Sequence, residues 1–512
     1  MSGGTPYYLT TPIYYVNDSP HIGHAYTTVA CDALARFMRL DGRRVMFLTG
    51  TDEHGQKVDK SARAAGLDPQ SFCDKVSENF REMGRLMNIS NDDFIRTTEP
   101  RHIRASQAIW EELERAGEIY LGRFAGWYSV RDEAFYEESE IKDGKAPSGA
   151  EVEWVEEENY FFRLSAWQDR LIAHYERHPE FIAPRARRNE VMSFVKGGLK
   201  DLSISRTSFA WGVPVPGDPK HVMYVWLDAL TNYITAVGYP DRESADFRAF
   251  WPADLHMVGK DIIRFHCVYW PAFLMAAKID PPKRVFAHGW WTVEGQKMSK
   301  SLGNFIPPQQ LVAEYGVDAV RYFMLRELPF GNDGDFSHRA VVSRINGDLA
   351  NDFGNLAQRV LSMVQRYCEG RVPAPGPLEP ADDALFAAAR GLLAKLRAEF
   401  AEQAFHRALE LIWHVVAEAN RYVDEQAPWA LRKSDPARLA TVLYVLAETI
   451  RHLAILAQPV VPAAAARLLD QLAQAPERRD FAALAAHPLA PDTLLPKPEG
   501  IFPRYLEAAT TA

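Results

Sequence analysis

Apolar positions follow two rhythms along the chain. Residues 7–15 are aromatic and β-branched and stop at Asn17-Asp18-Ser19-Pro20, which predicts a strand running into a turn. From His21 onward, Ala25, Val29, Ala33, Phe37 and Leu40 recur at helical spacing as far as Asp41-Gly42, and residues 45–49 then read as a second buried strand. Parallel strands need a crossover of this kind, and ligands on such sheets bind beyond the carboxyl ends of the strands, where His21 to His24 falls. A comparable unit returns later, with a strand at 255–258, a helix at 261–277 and a strand at 284–288.

Between the two units, residues 117–206 differ in character, with the acidic run Glu156-Glu157-Glu158 and the basic run Arg185-Ala186-Arg187-Arg188. They read as an inserted domain. Past about residue 340 the chain turns Ala- and Leu-rich, with Leu385, Ala389, Leu392, Leu396 and Phe400 on one helical face and Leu439, Leu443, Leu446, Ile450 and Leu453 on another. The expected fold class is α/β: a Rossmann-like parallel-sheet catalytic domain with an inserted connective domain and a C-terminal α-helical bundle. The expected boundaries are 1–116 and 207–290 for the two catalytic halves, 117–206 for the insertion, 291–345 for a lysine-bearing loop and its sequel, and 346–512 for the bundle. The Pro-rich stretch 372–380 and Pro428 would be connections within that bundle.

Composition narrows the class. The 512 residues carry a net charge of −9 and are 47% hydrophobic and 24% charged, which disfavours disordered, collagenous and coiled-coil chains. Four cysteines, Cys31, Cys73, Cys267 and Cys368, lack the spacing of a redox motif or zinc knuckle. No basic flank with an apolar core opens the chain, and no uninterrupted apolar stretch approaches about 18 residues, so a cytoplasmic protein without a membrane partner is expected. The acidic total does not exclude a polyanion, because phosphate contacts depend on where Lys and Arg cluster.

Two short motifs carry candidate chemistry. In His21-Ile22-Gly23-His24, two imidazoles one turn apart can address a phosphate at a helix N-terminus, and Gly23 would let a flat purine approach the backbone. Taken alone, the same residues equally suit helix capping. Lys297-Met298-Ser299-Lys300-Ser301, between Gly295 and Gly303-Asn304, can close two ammonium groups on departing phosphates or be a solvated turn. Adenylation of a carboxylate is an in-line attack on the α-phosphorus of ATP. Its catalysis is positioning and charge stabilisation, with no protein nucleophile.

With both motifs in place, the sequence resembles the class I aminoacyl-tRNA synthetases, for which these are the two signatures. Thr10 to Asn17, Gly50-Thr51-Asp52-Glu53-His54-Gly55, Glu158 to Phe162, Val258-Gly259-Lys260-Asp261-Ile262, Val225 to Leu230 and Asp352 to Leu356 resemble the methionyl-tRNA synthetases among them. The resemblance spans nearly the whole chain, to Ile501-Phe502-Pro503-Arg504, and makes 291–345 the signature-loop and stem-contact region.

The resemblance implies a methionine:tRNA ligase using ATP with Mg2+. It implies His21, His24, Lys297 and Lys300 as catalytic residues and His21, Gly23, His24, Gly259, Asp261, Lys297, Ser299 and Lys300 at ATP. Methionine would be met by Ile13, Tyr15, Trp226, Ala229, Leu230, Tyr233, Ile262, Phe265, His266 and Trp270, with Asp52 on its ammonium. Aromatic walls suit a polarizable thioether, which the Tyr233 hydroxyl could touch. Asn355, Arg359 and Trp429 would read the anticodon of tRNA(Met), initiator tRNA included, by stacking and edge hydrogen bonds.

Many family members hold zinc in the insertion. Here Trp127 to Asp132 and Ala146-Pro147-Ser148-Gly149 bring no cysteine, so no structural zinc or other protein-held metal is expected. The insertion is also too short for the hydrolytic editing domain of the isoleucine, valine and leucine enzymes. A monomer is expected. Two other readings remain: a class I synthetase for another amino acid such as cysteine, and a catalytically silent tRNA-binding relative, against which the intact His21, His24, Lys297 and Lys300 argue.

Overall fold

The structure is a computed structural model that describes residues 4–16, 19–132, 134–136, 138–293, 295–297 and 305–507; for Phe124, Ala134, Phe135, Gln296 and Lys297 it describes the backbone alone. Its centre is a seven-stranded sheet in the order Tyr14–Tyr15, Arg44–Asp52, Pro6–Thr10, Leu255–Gly259, Val285–His288, Ile182–Ala183, with Asp93–Arg96 also on Arg44–Asp52. Every pairing in it is parallel. Successive units run to opposite sides of Pro6–Thr10: Arg44–Asp52 flanks it on one side and Leu255–Gly259 on the other. That reversal is the topological switch point, where a crevice opens beyond the strand ends.

Proline divides one predicted element and reshapes another. The strand expected at 7–15 divides into Pro6–Thr10 and Tyr14–Tyr15. Pro12 has no N–H for the ladder, and the Thr11 hydroxyl lies 2.8 Å from the Pro12 carbonyl within the loop. The helix expected at 261–277 runs without a gap from Lys260 to Ala276, opening as a 3₁₀ turn at Lys260–Ile262 and widening to a π turn at Phe265–Tyr269 before the α-helical Trp270–Ala276. Pro271 cannot donate to the carbonyl of Cys267, which accepts the Tyr175 hydroxyl at 2.6 Å instead.

Residues 117–206 divide among three sheets, the last two residues, Ser205–Arg206, pairing antiparallel with Asp218–Met223. Ala134–Tyr136, Ile119–Ser129, Glu153–Phe162 and Leu202–Ser203 form an antiparallel sheet of their own. Ile182–Ala183, however, returns to the central sheet as an edge strand on Val285–Phe286. The loop that closes this hairpin is polar: Tyr136 donates to Asp132 at 2.9 Å, Ser148 also reaches Asp132, and Arg131 donates to the Ser148 carbonyl at 2.8 Å.

The helical half packs as its periodicity predicts, and all ten face residues from Leu385 to Leu453 named above are buried. Pro436–Ala457 is long and apolar enough to cross a bilayer by length and composition, yet 89% of its apolar window is buried within the fold. Arg451 and Glu448 interrupt it and pair at 2.6 Å in the core.

Candidate active site

The helix Ile22–Leu40 leaves the switch point, and two imidazoles close its start. The Gly23 N–H donates to His21 Nδ1 at 3.0 Å and the His21 N–H donates to His24 Nδ1 at 3.2 Å, a reciprocal capping box. The rings stack with centroids 3.9 Å apart. An Nδ1 that accepts a backbone proton is bare, so each neutral ring carries its proton on Nε2, as a donor for an anionic oxygen. Burial, with the charge of His21 adding, holds the His24 pKa well below the usual imidazole value. Glycine at position 23 has a steric reason that differs from the one expected, since a Cβ there would stand 2.9 Å from His21 Cε1.

A cleft of about 410 Å³ lies beside this helix start. His21, Gly23 and His24 line it together with Gly259 and Asp261, and so do Ile13, Tyr15, Asp52, Trp226, Ala229, Leu230, Tyr233, Ile262 and His266. Phe265 and Trp270 stand behind that surface rather than on it. Phe265 stacks on Trp226 with centroids 3.7 Å apart, and the fully buried Trp270 donates to His256 at 3.4 Å. The Tyr233 hydroxyl contacts His266 Nε2 at 2.7 Å, and His266 Nδ1 lies 3.0 Å from the Ile262 carbonyl. A carbonyl can only accept, so His266 is protonated on Nδ1 and its Nε2 takes the Tyr233 proton. The hydroxyl proton is thus engaged with His266, which leaves the oxygen lone pairs and the ring face for the cleft. At Gly259 a Cβ would lie 2.4 Å from Asp261 Oδ1, which accepts the Trp290 indole N–H at 3.0 Å.

The described residues that flank the lysine-bearing segment contact residues in or next to this cleft. The Lys297 backbone belongs to the strand Gln296–Lys297, paired antiparallel with Trp291–Val293 directly after Trp290, which lines the cleft. On the far side, Phe305 sets its ring edge-on to His21 at 5.8 Å, and the Ile22 N–H reaches the Ile306 carbonyl at 3.3 Å. Ser299, Lys300 and the Lys297 side chain lie outside the described residues.

The comparisons with known proteins speak to the same chemistry. Residues 7–149 and 142–361 match the family of "tRNA synthetases class I (M)", and residues 372–509 match "Anticodon binding domain of methionyl tRNA ligase". The chain belongs to the class I methionyl-tRNA synthetases. It is 59% identical to the methionine–tRNA ligase of Brucella suis over 507 residues, 98% of each chain. The methionyl-tRNA synthetase of Mycobacterium tuberculosis solved with methionyl-adenylate is 56% identical and superposes with a TM-score of 0.96 over 98% of this chain and 100% of that one. The free form of the same Mycobacterium protein gives 0.90 at 53% identity.

Several groups of this synthetase's cleft went unread in the sequence. Lys57, Thr27, His288 and Trp290 all line it. His288 Nε2 lies 2.7 Å from the Thr27 hydroxyl, and its Nδ1 lies 2.8 Å from the Gly289 carbonyl. Beneath the methionine-side helix Val225–Thr235, buried Asp228 accepts from His54 Nδ1 at 2.6 Å and His102 Nε2 at 2.7 Å. Burial raises its pKa, but the two imidazoles outweigh burial and pull it down to about 2. One signal was available: Asp228 is the only charged residue in Val225–Thr235, a helix buried at every position.

In the helical half, Trp429 is 49% exposed at the start of the short helix Pro428–Ser434. Asn355 is exposed at the start of Asn355–Tyr367, where Arg359 pairs with Asp424 at 3.0 Å. Asp424 lies near the end of Phe405–Gln426, the helix that leads into Pro428 and Trp429. Elsewhere, Arg187 pairs with Glu190 at 2.5 Å and Arg188 donates to the Tyr175 carbonyl at 3.0 Å, so these two arginines do not engage the acidic run at 156–158.

Proposed function

We infer that the chain is a methionine:tRNA ligase working in two steps at this one cleft. In the first, a methionine carboxylate oxygen attacks the α-phosphorus of ATP, the bond to pyrophosphate breaks, and methionyl-adenylate forms. In the second, the methionyl group passes to the 3′-terminal ribose of tRNA(Met). One observation carries the reading: His21, Gly23 and His24 line a single cleft at the sheet's switch point together with Asp52, Gly259 and Asp261, and Phe305, which follows the lysine-bearing segment, packs on His21.

Each residue's part follows from its chemistry. Asp52, buried at the end of Arg44–Asp52, holds the ammonium of methionine by a charge-assisted bond. Tyr15, Trp226, Ala229, Leu230 and Ile262 enclose the thioether side chain, with Phe265 and Trp270 backing the walls. A single methylene is worth about 1–3 kcal/mol in such a pocket, so selectivity over leucine rests on several contacts together. The Nε2–H groups of His21 and His24 donate to phosphate oxygens without adding charge. Gly259 leaves room beside Asp261, whose carboxylate can accept from ribose hydroxyls on the adenosine side. Lys297 and Lys300 neutralise the departing pyrophosphate, and Ser299 joins them at ATP. ATP enters as its magnesium complex, the ion carried by the phosphates.

Trp429, Asn355 and Arg359 read the anticodon, initiator tRNA included, and 346–512 is the anticodon domain. The chain acts in the cytoplasm as a monomer, for which light scattering should return a mass near 57.8 kDa. The deciding experiment is ATP–pyrophosphate exchange across the twenty amino acids. Methionine alone should support it. Exchange led by cysteine or leucine would overturn the substrate, and tRNA binding with no exchange at all would overturn the ligase.

A further inference from the structure

The reading above leaves one cleft lysine without a task. Lys57 is half-buried at the second position of the helix Gln56–Ala64, directly after Gly55, whose φ is 107°. A cation there opposes the positive end of the helix dipole, a cost of roughly 0.3–1 kcal/mol. The acidic residue of the same turn, Asp59, pairs with Arg63 at 2.7 Å, and Lys57 has no ion pair among the described residues. Its ammonium lies 5.4 Å from the centroid of the Tyr15 ring. The contact with the Tyr15 ring is worth roughly 0.5–1 kcal/mol, about what the dipole position costs, so fold stability is close to indifferent to a lysine here.

Charge complementarity supplies a reason for it. Among the described residues, the Lys, Arg, Asp and Glu side chains lining the cleft are Asp52, Asp261 and Lys57. The reactants bring a carboxylate and a triphosphate. Tyr15 stands in register with Asp52 across the strand pair, so an ammonium over the Tyr15 ring lies close to where Asp52 would grip the amino acid. The carboxylate of that amino acid and the phosphorus it attacks lie within a few ångströms of the same place. A lysine clamped on the carboxylate would blunt the nucleophile, whereas one on the α-phosphate would stabilise charge where the new bond forms.

We propose that Lys57 is a catalytic residue whose ammonium pairs with a non-bridging α-phosphate oxygen during adenylation. The carboxylate oxygen forms the new O–P bond, the α,β-bridging oxygen leaves on pyrophosphate with the electron pair, and Lys57 keeps its proton throughout. The assignment rests on the ligase reading, and the wild-type protein separates the two: without methionine-dependent exchange the ligase reading fails, whatever Lys57 does.

The test measures pyrophosphate exchange, methionine KM and methioninol affinity in Lys57→Met and Lys57→Arg. Lys57→Met should lower kcat about 100-fold or more, with methionine KM within about threefold of wild type, as expected for a group acting in the transition state. Lys57→Arg should recover part of kcat. Affinity for methioninol, which lacks the carboxylate, should be unchanged in both, and the melting temperature of Lys57→Met should stay close to wild type because the lost Tyr15 contact and the relieved dipole cost nearly cancel. A raised KM with unchanged kcat would reduce Lys57 to a support for Tyr15 and overturn the proposal, as would unaltered kinetics.

Discussion

Arg321 and Asp32 pair at 2.7 Å with no solvent exposure at either side chain. The same guanidinium donates to the carbonyls of Met87, Pro459 and Val460 at 3.1, 2.9 and 3.0 Å. It thereby joins the helix Ile22–Leu40, the helix Val317–Arg326 and the turn after the bundle helix Pro436–Ala457. Burial raises the Asp32 pKa, but Arg321 and Arg36 outweigh burial and hold it below the usual carboxylate range. Removing one partner of such a pair strands the other charge. Arg321→Met should cost about 3–5 kcal/mol in denaturant unfolding, and Asp32→Asn added to it should cost little more. Additive losses from the two changes would contradict the pairing.

Asp228 ties the helix Val225–Thr235 to His54 and His102. In Asp228→Asn an amide N–H would replace one carboxylate oxygen facing an imidazole N–H, and we expect a loss of roughly 2–4 kcal/mol with a raised methionine KM. The folded pKa of Asp228, near 2, is depressed, so its contribution to stability is full above about pH 4 and fades as pH falls from 4 to 2. A variant as stable as wild type at pH 7 would show that the two histidines do not need the charge.

Burial lowers His266 to about 4. Between pH 6.5 and 4 the unfolded chain then binds a proton that the folded chain refuses, so stability rises with pH across that window and is complete above it. The contribution is on the order of 3 kcal/mol. His266→Gln keeps an acceptor for the Tyr233 hydroxyl without titrating. Urea unfolding at several pH values should show its stability slope reduced by close to one proton, and an unchanged slope would place the pKa elsewhere.

Trp429 offers a half-exposed indole at the end of the bundle nearest Arg359. Trp429→Ala should lower kcat/KM for tRNA charging by roughly 5- to 150-fold, the worth of one stacked base, and leave pyrophosphate exchange intact. A parallel fall in exchange would remove Trp429 from anticodon reading.

Periodicity and motif spacing made much of this molecule legible. The paired strand-helix-strand units, the buried faces from Leu385 to Leu453 and the two motifs at strand exits are local features, and local order along the chain encodes them. The helix expected through Pro271 is present, but its π turn and the Tyr175 hydroxyl that serves the Cys267 carbonyl depend on a residue far away in the chain. Ile182–Ala183 is too short to signal a strand, and its membership in the central sheet depends on Val285 and Phe286.

From residue order one could derive which segments bury a face, where helices start and which side chains could handle phosphate. Packing alone decided that His21 and His24 cap one another, that the Tyr233 hydroxyl donates a hydrogen bond to His266, that Asp228 lies between two histidines, and that Lys57 borders the cleft. The reason is physical. Burial and helix propensity act over neighbouring residues, whereas a hydrogen bond or an ion pair acts over a few ångströms between residues that the chain keeps far apart until it folds.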